Sequence, residues 1–125
     1  MSPQLQSSHP FHGISLHVTI VVAPENADKF LESLRPCFDA VTAEPECMSF
    51  QVFHDAEQPG YFRFVENWSK DKDWLIKNQL TKDYYKPYEE ATKPLWIKPR
   101  ELKVFEQLDD AWTVVNAGSK DGTPA

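Results

Sequence analysis

The residue types best suited to chemistry cluster between Tyr61 and Tyr88, YFRFVENWSKDKDWLIKNQLTKDYYKPY, where rings alternate with single polar groups. That composition fits a pocket wall that buries a flat organic molecule and orients it through a few hydrogen bonds. Phe64, Trp68, Trp74, Tyr84, Tyr85 and Tyr88 supply the rings as candidate substrate contacts, and Glu66 and Asn78 supply the polar groups. Rings at strand and helix spacing also build ordinary core, so packing is the competing role for each of them.

Three side chains are candidates for acid-base work. Glu66 stands between aromatic neighbours, where desolvation raises a carboxyl pKa; pairing with Arg63 or a backbone N–H is its alternative. Asn78 can donate its amide to an anionic oxygen, or face solvent on an amphipathic helix. His17 lies on the polar parity of the first strand, and a neutral imidazole is the natural base near pH 7, with a hydrogen-bonded structural histidine as the other role. Of the three tyrosines, Tyr84 and Tyr88 share a helix face while Tyr85 lies about 100° round from Tyr84, so one or two of them reach a pocket.

No metal is expected. His9 and His12 form an H-x-x-H in a Pro-containing tail without further ligands, and neither His17 nor His54 has a partner at metal-site spacing. His54 with Asp55 reads as surface polarity. Four glycines leave no phosphate loop or dinucleotide fingerprint. Cys37 and Cys47 are too few for a disulfide framework and are expected to be reduced and buried.

These residues require a scaffold, and the hydrophobic pattern supplies one. Ile14 to Val22 alternates as a strand whose second face is mixed. From Pro24 to about Ala43, Ala27, Phe30, Leu31, Leu34, Phe38 and Val41 recur at helical steps, with a kink expected near Glu32 to Arg35 because Pro36 lacks an N–H. MSFQVFHD and Tyr61 to Trp68 read as strands joined through AEQPG, a loop with Pro59 and Gly60 as turn residues. Ser69 is placed to cap one helix and Thr81 another running to about Lys93, distorted by Pro87. Glu101 to Leu108 reads as the last strand. The order strand, helix, strand, strand, helix, strand is that of a ferredoxin-like α+β fold, a four-stranded antiparallel sheet with helices on one face. Strands apolar on both parities call for a cover on the second face, and an identical subunit is the simplest one, so a homodimer is expected.

A chain of 125 residues fits one domain, read as residues 14–108 between an N-terminal tail, 1–13, and a C-terminal tail, 109–125, which is a candidate dimer arm with Trp112 docking on a partner. A net charge of −6 with scattered basic residues argues against nucleic acid or an anionic membrane as partner. No apolar run approaches a membrane span, and the polar opening does not read as a secretory signal, which makes a cytoplasmic location the default.

Glu44-Pro45-Glu46-Cys47 before the second strand and Glu66-Asn67-Trp68-Ser69 at the end of the third resemble the EPGC and E-x-W-S patterns of antibiotic biosynthesis monooxygenase domains. The resemblance covers about Ser15 to Leu108. It implies a dimeric α+β barrel with a pocket between each sheet and its own helices. It also implies a range of activities: oxidation of phenolic polyketide rings by molecular oxygen without metal or flavin, haem degradation, or turnover of small quinols. Many members carry a histidine where this chain has Asn78. The haem-degrading branch uses an asparagine, a tryptophan and a histidine where this chain has His17, Asn78 and Tyr88, so haem degradation is not expected. The resemblance points to a cofactor-free oxygenase of an aromatic small molecule, with no bound cofactor, His17 as candidate base, and Asn78, Glu66 and the rings around the substrate. A decarboxylase, dehydratase or cyclase using the same groups, or a non-catalytic ligand-binding dimer, are the alternatives.

Overall fold

In the computed structural model, which describes residues 13–116, the alternating segment ISLHVTIV forms the central strand β1 (Ile14–Val21). It pairs antiparallel with β3 (Tyr61–Trp68) on one side and β4 (Glu101–Glu106) on the other, while β2 (Cys47–His54) extends the sheet beyond β3, giving the order β2-β3-β1-β4. This is the ferredoxin-like arrangement that the element order predicts. The register sorts side chains by face. Leu16 lies opposite Glu66 and Val104, and Val18 opposite Phe64 and Leu102, so these six share one face. His17, opposite Val65 and Lys103, belongs to the other.

The first face carries the core. Helix α1 (Ala27–Thr42) buries Phe30, Leu34, Cys37 and Val41 against it, and Phe30 stacks on Phe62 at 4.9 Å between ring centroids. Leu31, expected in that stripe, is 40% exposed, because the buried arc follows the steps 30, 34, 37 and 41. The helix is continuous through Pro36, which lies on its exposed side, where only the Glu32 carbonyl loses a donor and water can replace it. Cys37 is buried as expected, whereas Cys47 is only half-buried.

Asp71, rather than Ser69, caps the next helix, α2 (Lys72–Trp74), by accepting the Trp74 N–H at 2.8 Å. It runs directly into a π-helical turn, Leu75–Gln79, closed by the Leu80 N–H on the Leu75 carbonyl at 2.9 Å. Thr81 ends this element instead of opening another: its hydroxyl donates back to the Lys77 and Asn78 carbonyls at 3.2 and 3.1 Å. Helix α3 therefore spans only Tyr85–Thr92, which places Pro87 in its first turn. There a missing N–H costs nothing, and the expected distortion does not arise.

The second sheet face is more polar than apolar strands on both parities imply. Ser15, His17, Thr19, Arg63 and Asn67 lie among Val21, Val65, Phe53 and Phe105. Arg63 Nε donates to Thr19 Oγ1 and its Nη2 to Tyr61 Oη, both at 3.0 Å. After β4 the chain makes a 3-10 turn at Asp110–Trp112, with Trp112, Val114 and Val115 exposed. No helix of the described residues is long and apolar enough to cross a membrane. His9 and His12 lie outside the described residues.

Candidate functional site

Between the sheet and helices α1 and α3 is a cavity of about 120 Å³. Leu16, Val18, Phe64, Leu34, Val41 and Phe50 make it mainly apolar, and Glu66, Tyr85, Tyr88, Glu89 and Arg100 bring polar atoms to it. Leu80 and Leu102, both well exposed, mark its outer edge together with Arg100, whose Nη1 meets Glu89 Oε2 at 3.3 Å.

Glu66 is the polar group of the buried end, only 5% exposed. β3 alternation forces it inward between Phe64 and Trp68, and its register neighbours Leu16 and Phe50 are apolar. One partner is in place, Trp68 Nε1 donating to Glu66 Oε1 at 3.1 Å. Loss of water outweighs that hydrogen bond and pushes the carboxyl from its ordinary 4.5 up to about 7. A carboxyl balanced between its two states near neutral pH is suited to proton transfer. Cys37 on the same wall is pushed up to about 12 by burial and then by the nearby Glu66 and Glu89 carboxylates, so it stays a thiol.

The tyrosines divide by position. Tyr85 and Tyr88 line the cavity, and burial raises both phenols, keeping them protonated. Tyr84 turns away from it, donating to Glu44 Oε2 at 2.7 Å. Between Tyr84 and Tyr85 sits Gln79, fully buried, with Nε2 at 2.6 Å from Tyr84 Oη and 2.9 Å from Tyr85 Oη.

Of the residues predicted from sequence, Glu66, Phe64, Tyr85 and Tyr88 come together at the cavity. Trp68 is fully buried beside Trp74, ring centroids 6.1 Å apart, and bears on the cavity through Glu66 rather than by lining it. Asn78 is exposed, its Nδ2 donating to the Trp74 carbonyl at 3.3 Å, because the π turn directs Gln79 inward in its place. His17 lies on the opposite face of the sheet from the cavity, 3.0 Å from Ser15 Oγ through Nε2 and 4.7 Å from the Phe105 ring. Its parity is that of Ser15 and Thr19, whereas the cavity takes the parity of Leu16 and Val18, so the sheet separates His17 from Glu66. Burial, followed by the Arg63 charge, lowers its pKa and keeps it neutral at pH 7.

Sequence reasoning missed Gln79 and Arg100. Gln79 shares a helical face with Leu75, which is also fully buried, and that spacing is the signal that could have found it. Arg100 stands between Pro99 and the start of β4, outside any periodic segment that would point it inward. Among the described residues, no cluster of three or more His, Cys, Asp or Glu is placed to hold a metal ion.

The family model described as antibiotic biosynthesis monooxygenase matches residues 13–79, more than half of the chain. A protein of Pestalotiopsis microspora named "Putative monooxygenase" is 38% identical over 102 residues, which is 82% of this chain and 85% of that protein. The chain belongs to the antibiotic biosynthesis monooxygenase family. Among solved structures, a conserved protein from Methanosarcina mazei superposes with a TM-score of 0.68 at 19% identity, covering 76% of this chain and 92% of its own. A structure described as antibiotic biosynthesis monooxygenase gives 0.68 at 17%, covering 76% and 98%. At these identities the two structures establish the fold. Both motifs of the family resemblance have a physical role in this member: Glu66 and Trp68 of the E-x-W-S stretch are hydrogen-bonded to each other, and Glu44 of the EPEC stretch anchors Tyr84 and pairs with Lys82 at 3.4 Å.

Proposed function

We propose that this family member oxygenates a phenol or enol in its cavity, and that Glu66 is the base that takes the hydroxyl proton. The resulting anion is electron-rich enough to donate to dioxygen. One oxygen atom enters a ring CH2, which becomes C=O, and the other leaves as water, so the substrate carbon supplies all the electrons. The observation that carries this reading is a carboxyl held near pH 7 at the buried end of an apolar cavity.

Cavity size bears on the substrate. A dry cavity of ~150 Å³ holds one benzene ring, whereas drug-sized ligands occupy roughly 300–1,000 Å³. At about 120 Å³ the cavity suits the reacting ring alone, with the remainder of a polyketide-type substrate lying across Leu80 and Leu102 at its edge. Tyr85 and Tyr88, held protonated, are the hydroxyls that stabilise the anion. His17 belongs to the open sheet face, where the proposed homodimer packs.

Oxygen uptake with an anthrone tests the proposal. Wild-type protein should consume oxygen well above the buffer rate, and Glu66→Gln should lose about 10²-fold or more of that activity, the usual contribution of a general base. Wild-type uptake equal to that of buffer would contradict it.

A further inference from the structure

The hydrogen bonds behind the cavity have a direction that can be worked out atom by atom. Tyr84 Oη is 2.7 Å from Glu44 Oε2, a carboxylate that also faces Lys82, so the single phenolic proton of Tyr84 lies in that bond. The Gln79 atom 2.6 Å from the same oxygen must therefore be a donor, which makes it Nε2. The opposite amide orientation would set two acceptors against each other. The second N–H of Nε2 then points to Tyr85 Oη at 2.9 Å, so Tyr85 accepts from Gln79 and keeps its own proton free. Of the four residues only Tyr85 lines the cavity.

We infer that Glu44, Tyr84 and Gln79 form a positioning relay that fixes Tyr85 as a one-way hydrogen-bond donor to the substrate oxygen. The inference rests on the reading of the cavity as a phenol site, and it deepens that reading by naming how the anion is held. Two features of the fold support it independently. Gln79 reaches the interior from a π turn, a local irregularity often found at functional sites. Its Oε1 is buried without a hydrogen-bond partner, an arrangement unfavourable for folding and tolerated where geometry serves function. A Gln whose task was packing alone would be replaced without loss by an apolar residue; one whose two N–H groups are both engaged sets the orientation of two hydroxyls.

The test uses 4-nitrophenol, whose anion absorbs visible light, titrated with the full chain while the fractions bound as anion and as neutral phenol are followed against pH. Tyr85→Phe should weaken anion binding about tenfold and neutral binding less than twofold. Tyr84→Phe, two residues removed from the ligand, should produce most of the same selective loss, and the double variant should lose no more than Tyr85→Phe alone. Glu44→Ala should behave like Tyr84→Phe, while Glu44→Gln, which keeps an acceptor for Tyr84, should restore anion binding. Anion binding unchanged in Tyr84→Phe, additive losses in the double variant, or equal behaviour of Glu44→Ala and Glu44→Gln would overturn the relay. Loss of proton uptake in Glu66→Gln with a silent Tyr84→Phe defeats the relay and leaves the base in place. The reverse pattern defeats the base and leaves the relay, and nitrophenol failing to bind overturns both.

Discussion

Glu66 is balanced between its two protonation states near neutral pH because β3 carries it into an apolar interior with a single partner, Trp68 Nε1. Linkage turns that into a stability signature. Below about pH 4.5 the group is protonated in both folded and unfolded chains. Between 4.5 and 7 the unfolded chain releases the proton while the folded one retains it, so stability falls as pH rises; above 7 the full penalty is present. At 1.36 kcal/mol per pKa unit the penalty is about 3 kcal/mol. Denaturant melts across this range should show wild type losing about that much relative to Glu66→Gln, and parallel curves for the two proteins would show that Glu66 is not desolvated. The burial of Glu66 is legible in the sequence because a carboxyl flanked by Phe64 and Trp68 at strand spacing shares their face of the sheet. The strand and parity of His17 are legible in the sequence, but parity alone does not tell which face of a sheet borders a cavity. That depends on which side α1 and α3 cover.

At the scale of elements, the four strands of the described residues are legible as runs of at least six residues rich in apolar and aromatic side chains; burial alternates clearly along β3 and the first half of β1, while β2 and β4 are largely exposed. The stretch from Ser69 to Lys93 was less legible. Its helix boundaries depend on which of several polar side chains wins a backbone N–H, and a π turn shifts facing residues by one, exchanging Asn78 for Gln79. The hairpin between β2 and β3 is legible down to its turn residue, Gly60. Gly60 has φ +93°, and a Cβ there would sit 2.1 Å from the Val22 carbonyl oxygen, whose own N–H bonds to the Gly60 carbonyl at 2.8 Å. Gly60→Ala should therefore destabilise the protein by about 2 kcal/mol or more, read by thermal or denaturant unfolding. A loss under about 0.5 kcal/mol, the range of an ordinary surface change, would show that the turn adapts freely.

For the whole molecule, the sheet has one face closed by helices and one face of mixed character, with Val65, Phe53 and Phe105 among polar neighbours. Such a face suits a second copy of itself, since in isologous packing each contact forms twice, residue i of one subunit meeting residue j of the other and j meeting i. Light scattering with size exclusion should find a dimer of this 14.4 kDa chain, and Val65→Glu, at the centre of the open face, should convert it to a folded monomer. A wild-type monomer at micromolar concentration would contradict the dimer. In the proposed reading the two sheet faces divide the work: the open one for association, the covered one for binding the substrate ring in its cavity.

The most direct test of that cavity is the pH dependence of oxygen uptake. With an anthrone as substrate, kcat/KM of wild-type protein should rise through an apparent pKa of about 7 to a plateau as Glu66 ionises, and this step should vanish in Glu66→Gln with the residual rate low and flat. An unchanged step in Glu66→Gln would assign the proton transfer to another group and contradict the account.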